Sequence, residues 1–141
     1  MAILAAALSL FTAPSQAIDV ARLTEAIRQA ENTPLHHVSP SGCRGEYQIG
    51  LLAWKQNTNL PFLLAITDTP EARAATQHVA EAHVAWIVQK ALPALKLPVT
   101  PYSVALVWRK GYSNVSKLNL TKENVDFARR VQNLYEASER G

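Results

Sequence analysis

Cysteine is almost absent: Cys43 is the only one in 141 residues. No intramolecular disulfide can form, and Cys43 is either a buried thiol, the reading favoured because free cysteine behaves as a small hydrophobe, or a reactive or intermolecular one. Also missing is an apolar run long enough to cross a bilayer, since Ile3–Phe11 falls well short of the ~20 residues such a helix needs. A stable membrane span is therefore not expected. No dense basic block exists, and aromatics are not interleaved with Arg or Lys, so the stacking platform of a nucleic-acid binder is lacking. The net charge of +3 favours anionic partners only weakly.

Several chemistries are missing too. His36 and His37 are adjacent, and His78 and His83 are five apart, so neither pair has metal-ligand spacing on a helix. The run Gly42-Cys43-Arg44-Gly45 is too short for a phosphate cradle and lacks its Lys-Ser/Thr partner. No Ser/His/Asp order of a nucleophilic triad appears. No metal is expected. Without internal repeats or a low-complexity linker, the chain reads as one domain acting as a monomer.

What is present fits a globular fold: 48% of residues are hydrophobic and 18% charged. A chain of this size hides roughly two-thirds of its unfolded surface and needs no staple. The apolar stretch Ile3–Phe11 followed by Ser15, Gln16 and Ala17 reads as a secretory signal peptide over residues 1–17. A mature domain over 18–141 would then act in the periplasm or outside the cell.

Helix signals recur along that domain. Asp19 caps a segment whose Val20, Leu23, Ile27 and Ala30 recur at helical spacing and which ends near Glu31, three residues before Pro34. Residues 33–45, rich in Pro, Ser and Gly, form a loop or small hairpin, and helical character returns around Tyr47. Thr69-Pro70-Glu71 starts a long helix with Val79, Ala82, Trp86 and Ile87 as its stripe, which stops or kinks near Pro93. Thr100-Pro101 repeats that start signal, and a last helix begins near Glu123 with Val125, Ala128, Val131 and Tyr135 on one side. The fold class is mainly α. Trp54 and Trp86 lie on apolar stripes and belong in the core, whereas Trp108 is the tryptophan to test against a sugar.

The chemistry concentrates between Ala26 and Ile49. A carboxyl at the end of an amphipathic helix can be walled by apolar groups, and burial raises its pKa toward working pH. The negative helix end pushes the same way. A protonated acid is what glycosidic cleavage needs, because the leaving oxygen must receive a proton. Glu31 is that acid, and Gly42 and Gly45 let the following loop turn sharply.

Glu31, followed by Ser39, Gly42, Gly45, Gln48 and Ile49, resembles the central motif of the soluble lytic transglycosylase and goose-type lysozyme group. There a helix-borne Glu precedes a Ser-x-x-Gly-x-x-Gly-x-x-Gln loop. Val107-Trp108-Arg109-Lys110-Gly111 resembles the later aromatic-Asn-x-Gly motif, and residues 125–135 resemble the closing helix. The resemblance implies a lysozyme-like helical domain that cleaves the MurNAc-β-1,4-GlcNAc bond of peptidoglycan glycan strands, without a cofactor. It makes Glu31 the acid and then the base. Asn32, Ser39, Gly45, Tyr47, Gln48, Trp108 and Arg109 would bind the substrate. Two departures stand out: Asn32 replaces the Ser or Gly that follows the Glu, and Arg109 replaces Asn. The guanidinium can take over from the lost amide by binding a carboxylate of the peptide stem. The departures also leave open a noncatalytic module of the same ancestry that binds glycan or a protein. No second carboxylate has a defensible spacing, since Glu46 is in the loop and Asp68 is remote, which leans toward transglycosylase chemistry.

Overall fold

A computed structural model describes residues 17–115 and 120–140. The signal-peptide reading of residues 1–17 falls almost wholly outside them. The mainly α class holds. Among the described residues there are no strands, only isolated bridges pairing Val38 with Arg44 and Arg44 with Ile49.

Helix α1 spans Val20–Glu31, with the Asp19 carboxylate accepting the Arg22 N–H at 3.1 Å as its N-cap. Helix α2, Leu51–Asn57, is followed by a 3-10 turn over Phe62–Ile66. Helix α3, Pro70–Trp86, starts where Thr69 caps the Ala72 N–H, with proline at the first position. Helix α4, Pro101–Lys110, has the same start at Thr100. A short α5, Tyr112–Val115, precedes α6, Lys122–Glu139, which Thr121 caps.

Helical character does not return at Tyr47. Residues 45–48 form a turn in which Gly45 (φ 78°) and Gln48 (φ 54°) are left-handed, and α2 begins only at Leu51. Beyond α3 the helix runs through Pro93 and stops close behind it, at Leu95. It first widens into a π turn over Ile87–Ala91 and then resumes α geometry over Leu92–Leu95. A proline ring collides with the carbonyl four residues back in a regular helix, and the extra residue in the turn moves that carbonyl away.

Two apolar clusters form the interior. In the larger one, α6 packs along both α1 and α4, burying Leu23, Ile27, Val104, Val107, Phe127 and Val131. Full burial of each such Leu or Ile is worth about 1.5–3 kcal/mol. The smaller cluster joins Ile49 and Trp54 to Ala65, Val79 and Ala80. Trp108 packs against both clusters and so lies at their seam.

Candidate active site

Glu31 is the last residue of α1 because three groups close the helix behind it. Asn32 adopts a left-handed conformation (φ 49°) that few side chains tolerate as well as Asn does, and its N–H reaches the Arg28 carbonyl. The Thr33 hydroxyl donates to the Glu31 carbonyl at 2.8 Å. From α6, Arg130 Nη1 donates to the Ala30 carbonyl at 3.1 Å. With its backbone held, the Glu31 side chain turns inward and is only 11% exposed.

Helix α4 supplies its neighbours. Arg109 Nη1 lies 3.7 Å from Glu31 Oε1, an ionic approach beyond hydrogen-bond reach. Burial pushes the Glu31 pKa up to about 7, with the Arg109 charge and the neighbouring Trp108 indole pulling against it. A group with a pKa near 7 is divided between its acid and base forms at neutral pH.

Trp108 and Arg109 also line a groove of about 490 Å³, together with Gln48, His83, Trp86 and Tyr112. Glu31 is not on its wall. Its side chain keeps 11% of its surface exposed and lies 3.7 Å from Arg109, which does line the groove. His83 stacks on Trp86 with centroids 5.7 Å apart and planes 8° from parallel, and meets Trp108 at 5.4 Å. Trp86 in turn meets Tyr112 edge-on at 5.9 Å. Burial drops the His83 pKa to about 4, so the ring is neutral at physiological pH. Its Nδ1 is buried with no partner among the described residues. The result is a row of rings, with the amide of Gln48 at the groove's edge.

Trp86 is not the core residue its stripe implies, since it is 38% exposed on the groove wall. Only Trp54 of the tryptophans is fully interior. Cys43 is half-buried and lines the same groove rather than the core.

The other sequence-selected residues separate. Gln48 lines the groove, while its Nε2 donates to the Gly45 carbonyl at 2.8 Å and so also shapes the loop. Ser39 faces its own loop, its Oγ accepting the Cys43 N–H at 3.0 Å. Gly45 is buried, and a Cβ there would overlap the Ala65 carbonyl oxygen. Asn32 is an exposed cap. Tyr47 lines a different cavity, of about 270 Å³, with Glu25, Arg28, Glu46 and Arg73. The charges there are mutually paired: Arg28 meets Glu46 at 3.0 Å, and Arg73 meets Glu46 and Asp68, both at 2.8 Å. Glu46 and Asp68 are thus tied to arginines, and among its described lining the groove has no Asp or Glu.

His83, Trp86 and Tyr112 were not selected from the sequence. The spacing of His83 and Trp86, i and i+3 on one helix, was the available signal. Among the described residues no three His, Cys, Asp or Glu side chains converge as a metal site would require, and no helix is long and apolar enough to cross a membrane. No family model matches the chain, nor does any curated protein or solved structure.

Proposed function

We propose that the chain cleaves peptidoglycan glycan strands as a lytic transglycosylase, with Glu31 as its acid and base, in the periplasm or outside the cell. The observation that carries this reading is a carboxyl buried at a helix end with its pKa near 7, beside a groove walled by rings and amides. Glu31 protonates the glycosidic oxygen as its bond to the muramyl C1 breaks. The muramyl O6 hydroxyl then bonds to C1 and returns its proton to Glu31, closing a 1,6-anhydro ring. Without a second free carboxylate to position water, this internal attack is favoured over hydrolysis. Trp86, Trp108 and Tyr112 offer ring faces to the sugars, and Gln48 an amide.

A noncatalytic glycan- or protein-binding module is the second reading, favoured by the Arg109 charge 3.7 Å from Glu31, which stabilises the unprotonated form. Mass spectrometry of peptidoglycan treated with the chain and with Glu31→Gln separates the two. Anhydromuropeptides released only by the unaltered protein are expected. Hydrated muramyl ends would make it a lysozyme, and no release from wall that a control muramidase digests would leave the binding module.

A further inference from the structure

His83 is the imidazole in the groove's row of rings, and its two nitrogens are placed differently. It lies in the last turn of α3 and lines the groove. Its Nδ1 is sealed from solvent with no partner among the described residues, and Nε2 is not so sealed. The nitrogen that this ring can offer to the groove is therefore Nε2. Two indoles hold the ring's direction: Trp86 stacks on it at 5.7 Å, and Trp108 meets it at 5.4 Å with the planes 55° apart.

A neutral imidazole carries one N–H and one lone pair. Among buried backbone groups an orphaned N–H is rarer than an under-used acceptor, and the same cost puts the His83 proton on the nitrogen that reaches the groove. Burial keeps the ring uncharged, so its N–H suits a neutral acceptor rather than an anion. Two amides on the groove wall already donate to backbone: Gln48 Nε2 to the Gly45 carbonyl at 2.8 Å, and Asn114 Nδ2 to the Lys110 carbonyl at 2.9 Å. The exposed faces of Trp86 and Tyr112 accept any pyranose, acetylated or not, so ring stacking alone does not discriminate.

We propose that His83 is a specificity-determining residue of the groove, whose Nε2–H donates to the acetamido carbonyl of an N-acetylated amino sugar while Trp86 and Trp108 hold the imidazole in place. This rests on the glycan reading above and names the group within it that separates N-acetylated chains from plain glucans. A sugar without the carbonyl covers the donor and leaves it unpaired, and that loss is what generates selectivity.

The test uses the full chain and two neutral trisaccharides without a muramyl bond, tri-N-acetylchitotriose and cellotriose. Long-range proton–nitrogen correlation spectra at neutral pH show which His83 nitrogen carries the proton, with the signal assigned by its loss in His83→Phe. Calorimetric titration gives the affinities. The proton should be on Nε2, and the Nε2 resonance should move with tri-N-acetylchitotriose and not with cellotriose. The acetylated sugar should bind about fivefold or more tighter, as expected of one hydrogen bond to a neutral group. His83→Phe should remove most of that preference and leave cellotriose binding unchanged, and His83→Gln, which restores an N–H donor, should keep part of it. A proton on Nδ1, an equal response to both sugars, or a preference undiminished in His83→Phe would overturn the proposal. The resonances of the unaltered protein decide even where a variant fails to fold. If the Nε2 response holds while no wall fragments are released, the role of His83 stands and the cleavage reading falls. Release of fragments without that response has the opposite meaning.

Discussion

His83 and Trp86 lie ring on ring, 8° from parallel, on successive turns of α3, and the histidine carries a buried nitrogen that bonds to nothing among the described residues. A neutral imidazole tolerates this position as a flat, weakly polar ring. Its protonated form does not, because a buried cation without an acceptor bears the full desolvation cost.

The acid side of the stability profile follows. The His83 pKa falls from 6.5 to about 4 on folding, so the unfolded chain takes up the proton first. Stability from this group is complete above pH 6.5 and is lost as pH falls through 4, in total about 3 kcal/mol. His83→Phe, which keeps a ring but cannot titrate, should flatten that loss. Urea midpoints between pH 7 and 4 measure it; parallel declines in the two proteins would show that His83 is not responsible.

Glu31 acts on the opposite flank. Its pKa rises from 4.5 to about 7, so the folded chain holds a proton that the unfolded chain has released. The resulting cost appears as pH climbs from 4.5 and levels off above 7, on the order of 3 kcal/mol. Glu31→Gln should therefore be more stable than the parent at pH 8 and nearly equal to it at pH 4.5. Thermal melts at both values are sufficient, and a variant less stable at pH 8 would contradict the burial argument.

Gly45 fixes the loop between α1 and α2. A side chain there meets both a left-handed backbone and the Ala65 carbonyl, with no flexible group to yield. Gly45→Ala should cost about 2 kcal/mol or more. Gly42 is also left-handed but faces open space, so Gly42→Ala should cost less. Comparing the two melting temperatures isolates the contact from the backbone strain.

Trp86 lends itself to a binding variant because it is exposed. A sugar face covering on the order of 50 Å² of indole is worth about 1.3 kcal/mol, or about tenfold in affinity. Trp86→Ala should weaken glycan-oligomer binding by that factor and, through the lost ring contacts to His83 and Tyr112, also lower the thermal midpoint. A large loss of stability with unchanged binding would return Trp86 to a purely packing role.

The sequence resolved what is local. Asp19, Thr69 and Thr100 announced three helix starts because capping depends on a residue and the two or three that follow it. Glu31 at a helix end was legible for the same reason, through Pro34. What was not legible depends on partners distant along the chain. Periodicity placed Trp86 on an apolar stripe but could not say that it would wall a groove with residues of α4 and α5. The loop motif likewise grouped Ser39, Tyr47 and Gln48, whereas the turns around Gly45 send Ser39 and Tyr47 away from the groove that Gln48 lines. Phe127, beneath Arg109, lay off the stripe assigned to the last helix and became visible only through what α6 packs against.

The π turn at Ile87–Ala91 changes how this chain must be compared with others. Five residues of a regular helix sweep about 500°, which would leave Ile87 and Leu92 roughly 140° apart around the axis. Both are nevertheless fully buried, because the widened turn absorbs one residue and returns them to nearly the same bearing. The turn is thus equivalent to a one-residue insertion within a helix, where no loop advertises it. A relative with a regular helix would be one residue shorter here, so an alignment that forbids gaps inside helices would misregister α4, and Arg109 with it, against everything on the N-terminal side.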